Sequence, residues 1–214
     1  PDHSIYFHDD AAVDRLIYEE DWPEFPHLTK IMQCVQFGGA MKIDIWRILV
    51  IYRYGGIYTD IDNWPGQKFD KDTIPDDISA FFLSDAWNRP SQWFFAMEPY
   101  HPIAYYCMIE ILHRVLYLDD ISKPKVVFVT GPDALKHAYG RFFNWQLKDK
   151  IFGGGTFTGK LFKQVQKIEK RKTGKYVIGS LGGTFDDIVW SNETMKVTKR
   201  DKVEKENGVV HWLK

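Results

Sequence analysis

The stretch of residues 40–62 constrains the fold of this sequence more than any other part of it. Residues 40–54 read as a helix with apolar side chains on nearly every face, and a helix that is apolar all round is buried in a core. Gly55 and Gly56 predict a C-cap that ends the helix. Residues 57–59 then read as a strand, so the pattern predicts a buried helix that leads directly into a strand.

The remaining sequence alternates between helical and strand-like patterns. Strands are predicted at residues 4–7, 79–83, 93–97, 126–130 and 176–178. Helices are predicted at residues 11–20, 102–118, 131–143 and 160–172, the last one basic. Such alternation is typical of an α/β fold in which helices flank a mixed sheet. A chain of 214 residues is long enough for one substantial core, so we expect residues 1–214 to form a single domain.

Composition excludes several classes of protein. Hydrophobic residues make up 44% and charged residues 27% of the chain, which is typical of a globular protein rather than a disordered one. The formal net charge of -1 gives no sign of a nucleic-acid partner. No apolar run approaches the roughly 18 residues of a membrane span. No signal peptide is visible, and because the first residue is not Met we expect a trimmed or partial chain.

Asp60 and Asp62 follow the strand at residues 57–59. Because side chains alternate along a strand, both carboxylates are expected to face the same side, at a strand end where ligands of α/β proteins usually bind. Paired carboxylates suit a hard cation such as Mn²⁺ or Mg²⁺, which could neutralise a leaving diphosphate. An isolated D-x-D triplet is also typical of a solvated turn.

Asp44 and Arg47 are charged residues inside the otherwise apolar helix, and their spacing places them on one face. Two interpretations remain open. They could form an internal ion pair that braces the helix. Alternatively, this face could line a ligand cleft, where the Arg47 guanidinium would bind phosphate and Asp44 would accept a hydrogen bond from a sugar hydroxyl.

These residues together carry a family resemblance. Residues 40–47 (AMKIDIWR) and 52–62 (YRYGGIYTDID) resemble the DXD-containing sugar-binding region of glycosyltransferase family 32, with weaker echoes at residues 96–102 and 129–132. The resemblance implies a GT-A fold, a Rossmann-like sheet that binds a nucleotide-diphosphate sugar, and retaining transfer of a hexose to a hydroxyl of a glycan or lipid-linked acceptor. It assigns roles to several residues. By this resemblance, Asp60 and Asp62 would bind the metal and the diphosphate. The donor would be bound by Asp44, Arg47, Gly56, Tyr58 and Asp60.

The sequence departs from the family pattern at three places. Ile43 replaces the usual Ser, Gln92 stands where an Asn is usual, and the family's first strand is not found, so part of the donor pocket could be lacking. A GDP-sugar and a UDP-sugar are both compatible with the resemblance. Two other functions stay open: a non-catalytic protein that binds glycan or nucleotide on the same fold, and a metal-dependent phosphohydrolase.

Outside this stretch the candidates are weaker. His211 could be a third metal ligand, as late His residues are in similar enzymes, or a surface residue beside Trp212. His101, which precedes Pro102, is expected to begin a helix rather than to bind a ligand. Trp93 could stack on a sugar or pack in the core. Cys107 is expected to be a small buried hydrophobe.

Overall fold

The computed structural model describes residues 4–34, 39–61, 63–65, 70–84, 89–120, 124–143, 169–181 and 189–191. Several predictions therefore fall outside the described residues: Asp62, His211 and the first part of the basic segment, residues 160–168.

The described helices include counterparts of the helices predicted at residues 11–20, 40–54, 102–118 and 131–143. They are α1 (Asp10–Asp14), a π-helical turn (Arg15–Glu19), α2 (Leu28–Cys34), α3 (Gly39–Tyr54), α4 (Pro102–Leu116), α5 (Val126–Val129) and α6 (Pro132–Phe142). Pro102 and Pro132 stand in the first turns of α4 and α6, where a missing backbone N–H costs nothing. None of the described helices is both long enough and apolar enough to cross a membrane.

The strands form one mixed sheet and one small ribbon. They are β1 (Gly56–Thr59), β2 (Asn63–Pro65), β3 (Ala80–Ser84), β4 (Pro90–Met97), β5 (Glu169–Thr173), β6 (Tyr176–Leu181) and β7 (Val189–Ser191). The sheet runs in the order β1-β4-β3-β6-β5. Only β3 and β6 pair in parallel in it, and the other pairs are antiparallel. β2 pairs with β7. The predicted α/β fold with a mixed sheet flanked by helices is confirmed.

The core lies between the helices and one face of the sheet. In α3 the side chains of Ile45, Ile48 and Leu49 are completely buried, as the apolar pattern predicts. Helix α4 buries Cys107 and packs against both α3 and α6. Burial of each large apolar side chain contributes about 1.5–3 kcal/mol to the stability of the fold. These contacts hold α3 in place against strands β1 and β4.

Gly55 sets the direction of the chain between α3 and β1. Its φ is +67°, a left-handed conformation that favours glycine, and its N–H donates to the Ile51 carbonyl at 2.8 Å. A Cβ at this position would lie 2.6 Å from Cδ of Pro99. The predicted C-cap is confirmed, and it turns the chain directly into β1.

Three predictions of secondary structure are wrong. Residues 126–130 do not form a strand, because the N–H groups of Thr130 and Gly131 both donate to the Val126 carbonyl and close a helical turn. The β-branched residues there suggested a strand, but packing of the turn against α6 overrides that preference. The last part of the basic segment is the edge strand β5 rather than a helix, and exposed lysines are typical of sheet edges.

The third wrong prediction lies near the start of the chain. Residues 4–7 have no regular secondary structure, and Ile5, Tyr6 and Phe7 are all largely exposed. Their β-forming composition predicted a strand, but a strand needs a neighbour to pair with. The pattern also missed α2, β2 and β7, which are short elements with weak periodicity.

Candidate functional site

The Arg47 side chain connects α3 to the ends of two strands. Its Nη2 lies 3.3 Å from Asp44 Oδ1 and its Nη1 lies 3.3 Å from Asp60 Oδ1. Nη1 also donates to the backbone carbonyl of Gln92 at 2.9 Å. The guanidinium therefore forms the internal ion pair with Asp44 and also reaches the first residue of the DXD triplet.

Asp60 comes directly after β1, at the point where the chain turns. Its N–H donates to the Trp93 carbonyl at 2.9 Å, and its own carbonyl accepts from the Asn63 N–H at 3.0 Å. Because β1 ends at Thr59, the alternation of side chains along the strand does not extend through the triplet. The expectation that Asp60 and Asp62 face one side therefore loses its basis in strand geometry, and Asp62 itself lies outside the described residues.

Tyr58 lies between Arg47 and Asp60. Its O–H donates to Asp60 Oδ1 at 2.7 Å, and the Arg47 guanidinium carbon lies 4.9 Å from the centre of its ring, within cation–π range. Burial raises the pKa of the Tyr58 hydroxyl far above its usual value. Tyr58 therefore stays a neutral hydrogen-bond donor and orients the Asp60 carboxylate.

Asp44 is held from both sides. Oδ1 faces Arg47, and Oδ2 accepts a hydrogen bond from the Thr130 hydroxyl at 2.8 Å. Burial raises the pKa of the Asp44 carboxyl to about 6, although Arg47 and the Thr130 hydrogen bond both act to lower it; the nearby Asp60 carboxylate raises it further. Both Asp44 oxygens have protein partners, so the predicted contact with a sugar hydroxyl would have to share one of them.

Gly56 opens β1 with a φ of +94°, a conformation that residues with a Cβ rarely adopt. A Cβ at Gly56 would meet no heavy atom of the described residues within 4 Å. The space beside β1 is therefore open at this position, which is compatible with the predicted contribution of Gly56 to the donor pocket.

The described residues supply one carboxylate suited to a metal ion. The Asp60 side chain is 31% exposed, so a cation could reach it, whereas Asp44 is almost completely buried and already bonded. Among the described residues there is no group of three or more His, Cys, Asp or Glu side chains that could hold a metal. The other two predicted ligands, Asp62 and His211, lie outside the described part of the chain.

Two residues at this site had no predicted role in it. Thr130 is completely buried against Asp44, and the buried Gln92 donates from Nε2 to the Thr130 carbonyl at 3.0 Å. Both occur in segments that depart from or only weakly echo the family pattern. Nothing local in the sequence indicates that Thr130 meets Asp44 or that Gln92 meets Thr130, because these contacts join residues far apart in the chain.

His101 and Trp93 are also placed by the structure. His101 is completely buried at the start of α4, where Nδ1 accepts from the Ile103 N–H at 3.2 Å. Its predicted role at the helix start is confirmed, and burial lowers its pKa to about 3. The Trp93 ring is partly buried. The backbone carbonyl of Trp93 accepts hydrogen bonds from the Asp60 N–H and from Nδ2 of Asn63.

Most residues of this site lie in a part of the chain that is similar to known proteins. Residues 4–80 match the family model described as "Glycosyltransferase sugar-binding region containing DXD motif". The matched region includes Asp44, Arg47, Tyr58 and Asp60, and the predicted resemblance to the family is confirmed.

Two proteins are similar to the chain beyond this region. An initiation-specific alpha-1,6-mannosyltransferase of Schizosaccharomyces pombe is 30% identical over 129 residues, which cover 50% of this chain and 33% of the relative. The chain thus spans about a third of the length of that relative. The solved structure of PaToxG Glycosyltransferase is 19% identical, covers 62% of this chain and 44% of its own, and has a TM-score of 0.42, which is too low to assign the fold.

Proposed function

We propose that this chain is a metal-dependent, retaining glycosyltransferase that moves a hexose from a nucleotide-diphosphate sugar to a hydroxyl of a glycan or lipid-linked acceptor. The observation that carries the proposal is the position of Arg47, which lies 3.3 Å from both Asp44 and Asp60 inside the sugar-binding region. We also propose that the chain adopts the GT-A type of α/β fold, since its mixed sheet presents this site where β1 ends.

The charges at the site favour a diphosphate accompanied by a cation. Arg47 offers a planar donor group that matches phosphate oxygens, while Asp60 offers a partly exposed carboxylate. Asp60, together with Asp62 and His211, would hold Mn²⁺ or Mg²⁺. When bound, the cation would supply charge neutralisation for the diphosphate. Gly56 leaves room for the donor beside β1.

The transfer requires little chemistry from the chain beyond orientation and charge stabilisation. The bond between the anomeric carbon and the diphosphate oxygen breaks, and the sugar becomes oxocarbenium-like. Arg47 donates hydrogen bonds to the departing diphosphate as its negative charge develops. The acceptor hydroxyl oxygen bonds to the anomeric carbon from the same face, and its proton passes to the leaving phosphate oxygen. This route retains the anomeric configuration without an enzymatic nucleophile.

A panel of nucleotide sugars with Mn²⁺ tests the proposal. GDP-mannose comes first, because the similar yeast protein is a mannosyltransferase, followed by UDP-galactose and UDP-N-acetylglucosamine. We expect transfer or slow donor hydrolysis with one of them. The Asp62→Asn variant should lose about 100-fold or more of this activity, because charge stabilisation by a metal is worth several kcal/mol. The exposed Asp76→Asn serves as the matched control.

Two results would contradict this function. If Asp62→Asn keeps nearly full activity, the metal role is wrong. If calorimetry shows tight, Mn²⁺-dependent nucleotide diphosphate binding but no donor turns over, a non-catalytic binding protein is the better description. Release of phosphate from a simple ester such as p-nitrophenyl phosphate would instead indicate a phosphohydrolase.

A further inference from the structure

A buried hydrogen-bond network connects Gln92, Thr130 and Asp44 beside Arg47. Gln92 Nε2 donates to the backbone carbonyl of Thr130 at 3.0 Å, and the Thr130 hydroxyl donates to Asp44 Oδ2 at 2.8 Å. Gln92, Thr130 and Asp44 are 3%, 0% and 7% exposed. Water therefore does not compete for these bonds, and each holds its partner in one orientation.

The hydrogen-bond network closes into a ring through Arg47. Asp44 Oδ1 faces Arg47 Nη2 at 3.3 Å, and Arg47 Nη1 donates to the backbone carbonyl of Gln92 at 2.9 Å. The four residues, which we call the Arg47 ring, come from α3, from β4 and from the residue after α5. Three separate elements thus fix the direction in which the guanidinium points.

The two ends of the Gln92 side-chain amide differ, because among the described residues Nε2 has a hydrogen-bond partner and Oε1 does not. Its Oε1 is buried and has no hydrogen-bond partner among the described residues. A buried acceptor without a partner is unfavourable, so an apolar residue would be more favourable here if packing were the only requirement. The side chain therefore contributes through Nε2, its bonded end. An Asn at this position would be one methylene shorter and would not reach the Thr130 carbonyl.

We propose that Thr130 and Gln92 are positioning residues for Arg47, holding Asp44 so that the guanidinium stays aimed at Asp60 and at the donor diphosphate. The part of this inference that concerns the donor diphosphate rests on the proposed function. The physical reason is conformational entropy. A free Arg side chain loses rotamer entropy when it is immobilised, and the Arg47 ring already restricts the side chain before the donor binds.

Thr130→Val and Thr130→Ser form the matched pair for the test. Val keeps the shape of Thr but lacks the hydroxyl, whereas Ser keeps the hydroxyl. The first measurement is the Nε–Hε signal of Arg47 in ¹H–¹⁵N NMR spectra, assigned by its loss in Arg47→Lys. We expect Thr130→Val to shift this signal and speed its exchange with water, and Thr130→Ser to leave it close to wild type.

The second measurement is the Kd of GDP and UDP with Mn²⁺ by calorimetry. For the nucleotide that binds, Thr130→Val should raise Kd about 10-fold, since aiming Arg47 would again cost part of its side-chain entropy, and Thr130→Ser should stay within about 2-fold. An unchanged Arg47 signal and Kd in Thr130→Val, or equal losses in both variants, would overturn the inference.

The two measurements separate this inference from the proposed function. If the wild-type protein binds no nucleotide diphosphate, the proposed function fails, while the NMR signal still shows whether Thr130 orients Arg47. If Thr130→Val does not fold, Gln92→Asn takes its place, because it retains a polar side chain but is too short for the Thr130 carbonyl. The same change in the Arg47 signal is expected, and an unchanged signal rules out the role of Gln92.

Discussion

Arg47 and Asp60 meet across the junction of α3 and β1, with Nη1 of the one 3.3 Å from Oδ1 of the other. Oδ1 also accepts the hydrogen bond from Tyr58, so this oxygen is fixed by a cation and by a neutral donor together. Arg47 therefore offsets the negative charge of Asp60. Under the proposed function, the guanidinium would keep this position and also donate to a phosphate oxygen of the donor, while Asp60 would help to hold the cation.

Arg47→Lys should weaken nucleotide diphosphate binding by about 10- to 100-fold, because a hydrogen bond to a charged group contributes about 1.5–3 kcal/mol. Lysine keeps the charge but offers a single nitrogen, so it would not contact Asp44, Asp60 and the Gln92 carbonyl together. Calorimetry with Mn²⁺ gives the Kd. Arg53→Lys is the control, because Arg53 lies on the same helix but contacts Trp22 and Glu20. Equal Kd values for the two variants would contradict the role of Arg47.

Asp44 should make the stability of the protein fall as pH rises from about 4 to 6. Its folded pKa of about 6 lies above the usual 3.8, so the folded state binds the proton more tightly than the unfolded state, and stability is lost as that proton leaves. Asp44→Asn removes this titration. The difference in unfolding free energy, wild type minus variant, should fall by about 2 kcal/mol between pH 4.5 and 7. Urea unfolding at each pH measures it, and a constant difference would show that the pKa is not raised.

Tyr58→Phe should loosen Asp60 without disturbing the fold. The substitution removes the hydroxyl that donates to Asp60 at 2.7 Å but keeps the ring beneath Arg47. We expect a loss of about 1 kcal/mol in unfolding free energy and a several-fold higher Mn²⁺ concentration for half-maximal nucleotide binding. Tyr54→Phe on the exposed end of α3 is the control. If Tyr58→Phe binds Mn²⁺ and nucleotide as the wild type does, Tyr58 does not orient Asp60.

Gly55→Ala should destabilise the protein more than Gly56→Ala. Both glycines have positive φ, which costs an alanine about 1–2 kcal/mol. Only at Gly55 would the added Cβ also collide with Pro99, at 2.6 Å, whereas the space at Gly56 is open. Thermal unfolding of both variants gives the comparison. If Gly56→Ala proves at least as destabilising, then the contact with Pro99 does not decide the cost.

The sequence predicted the parts of the site that depend on neighbours in the chain. The apolar pattern of α3, its glycine cap and the strand that follows all arise from local preferences, and they were confirmed. The spacing of Asp44 and Arg47 on one helix face sufficed to predict their proximity. The family resemblance lies in this same stretch, where α3, the glycine turn and β1 carry the candidate site residues that precede Asp60.

Only the tertiary structure determined which groups the Arg47 guanidinium contacts. Whether Asp44 and Arg47 formed an ion pair or faced a site was open in the sequence. Packing of α3 against β1 and β4 places Asp60 and the Gln92 carbonyl within reach, so Arg47 forms the ion pair with Asp44 and also contacts both of these groups. Residues 126–130 carry a strand-like sequence, yet they close a helical turn that puts the Thr130 hydroxyl on Asp44. These contacts join residues far apart in the chain, and their energies outweigh local preference because they are buried and exclude water.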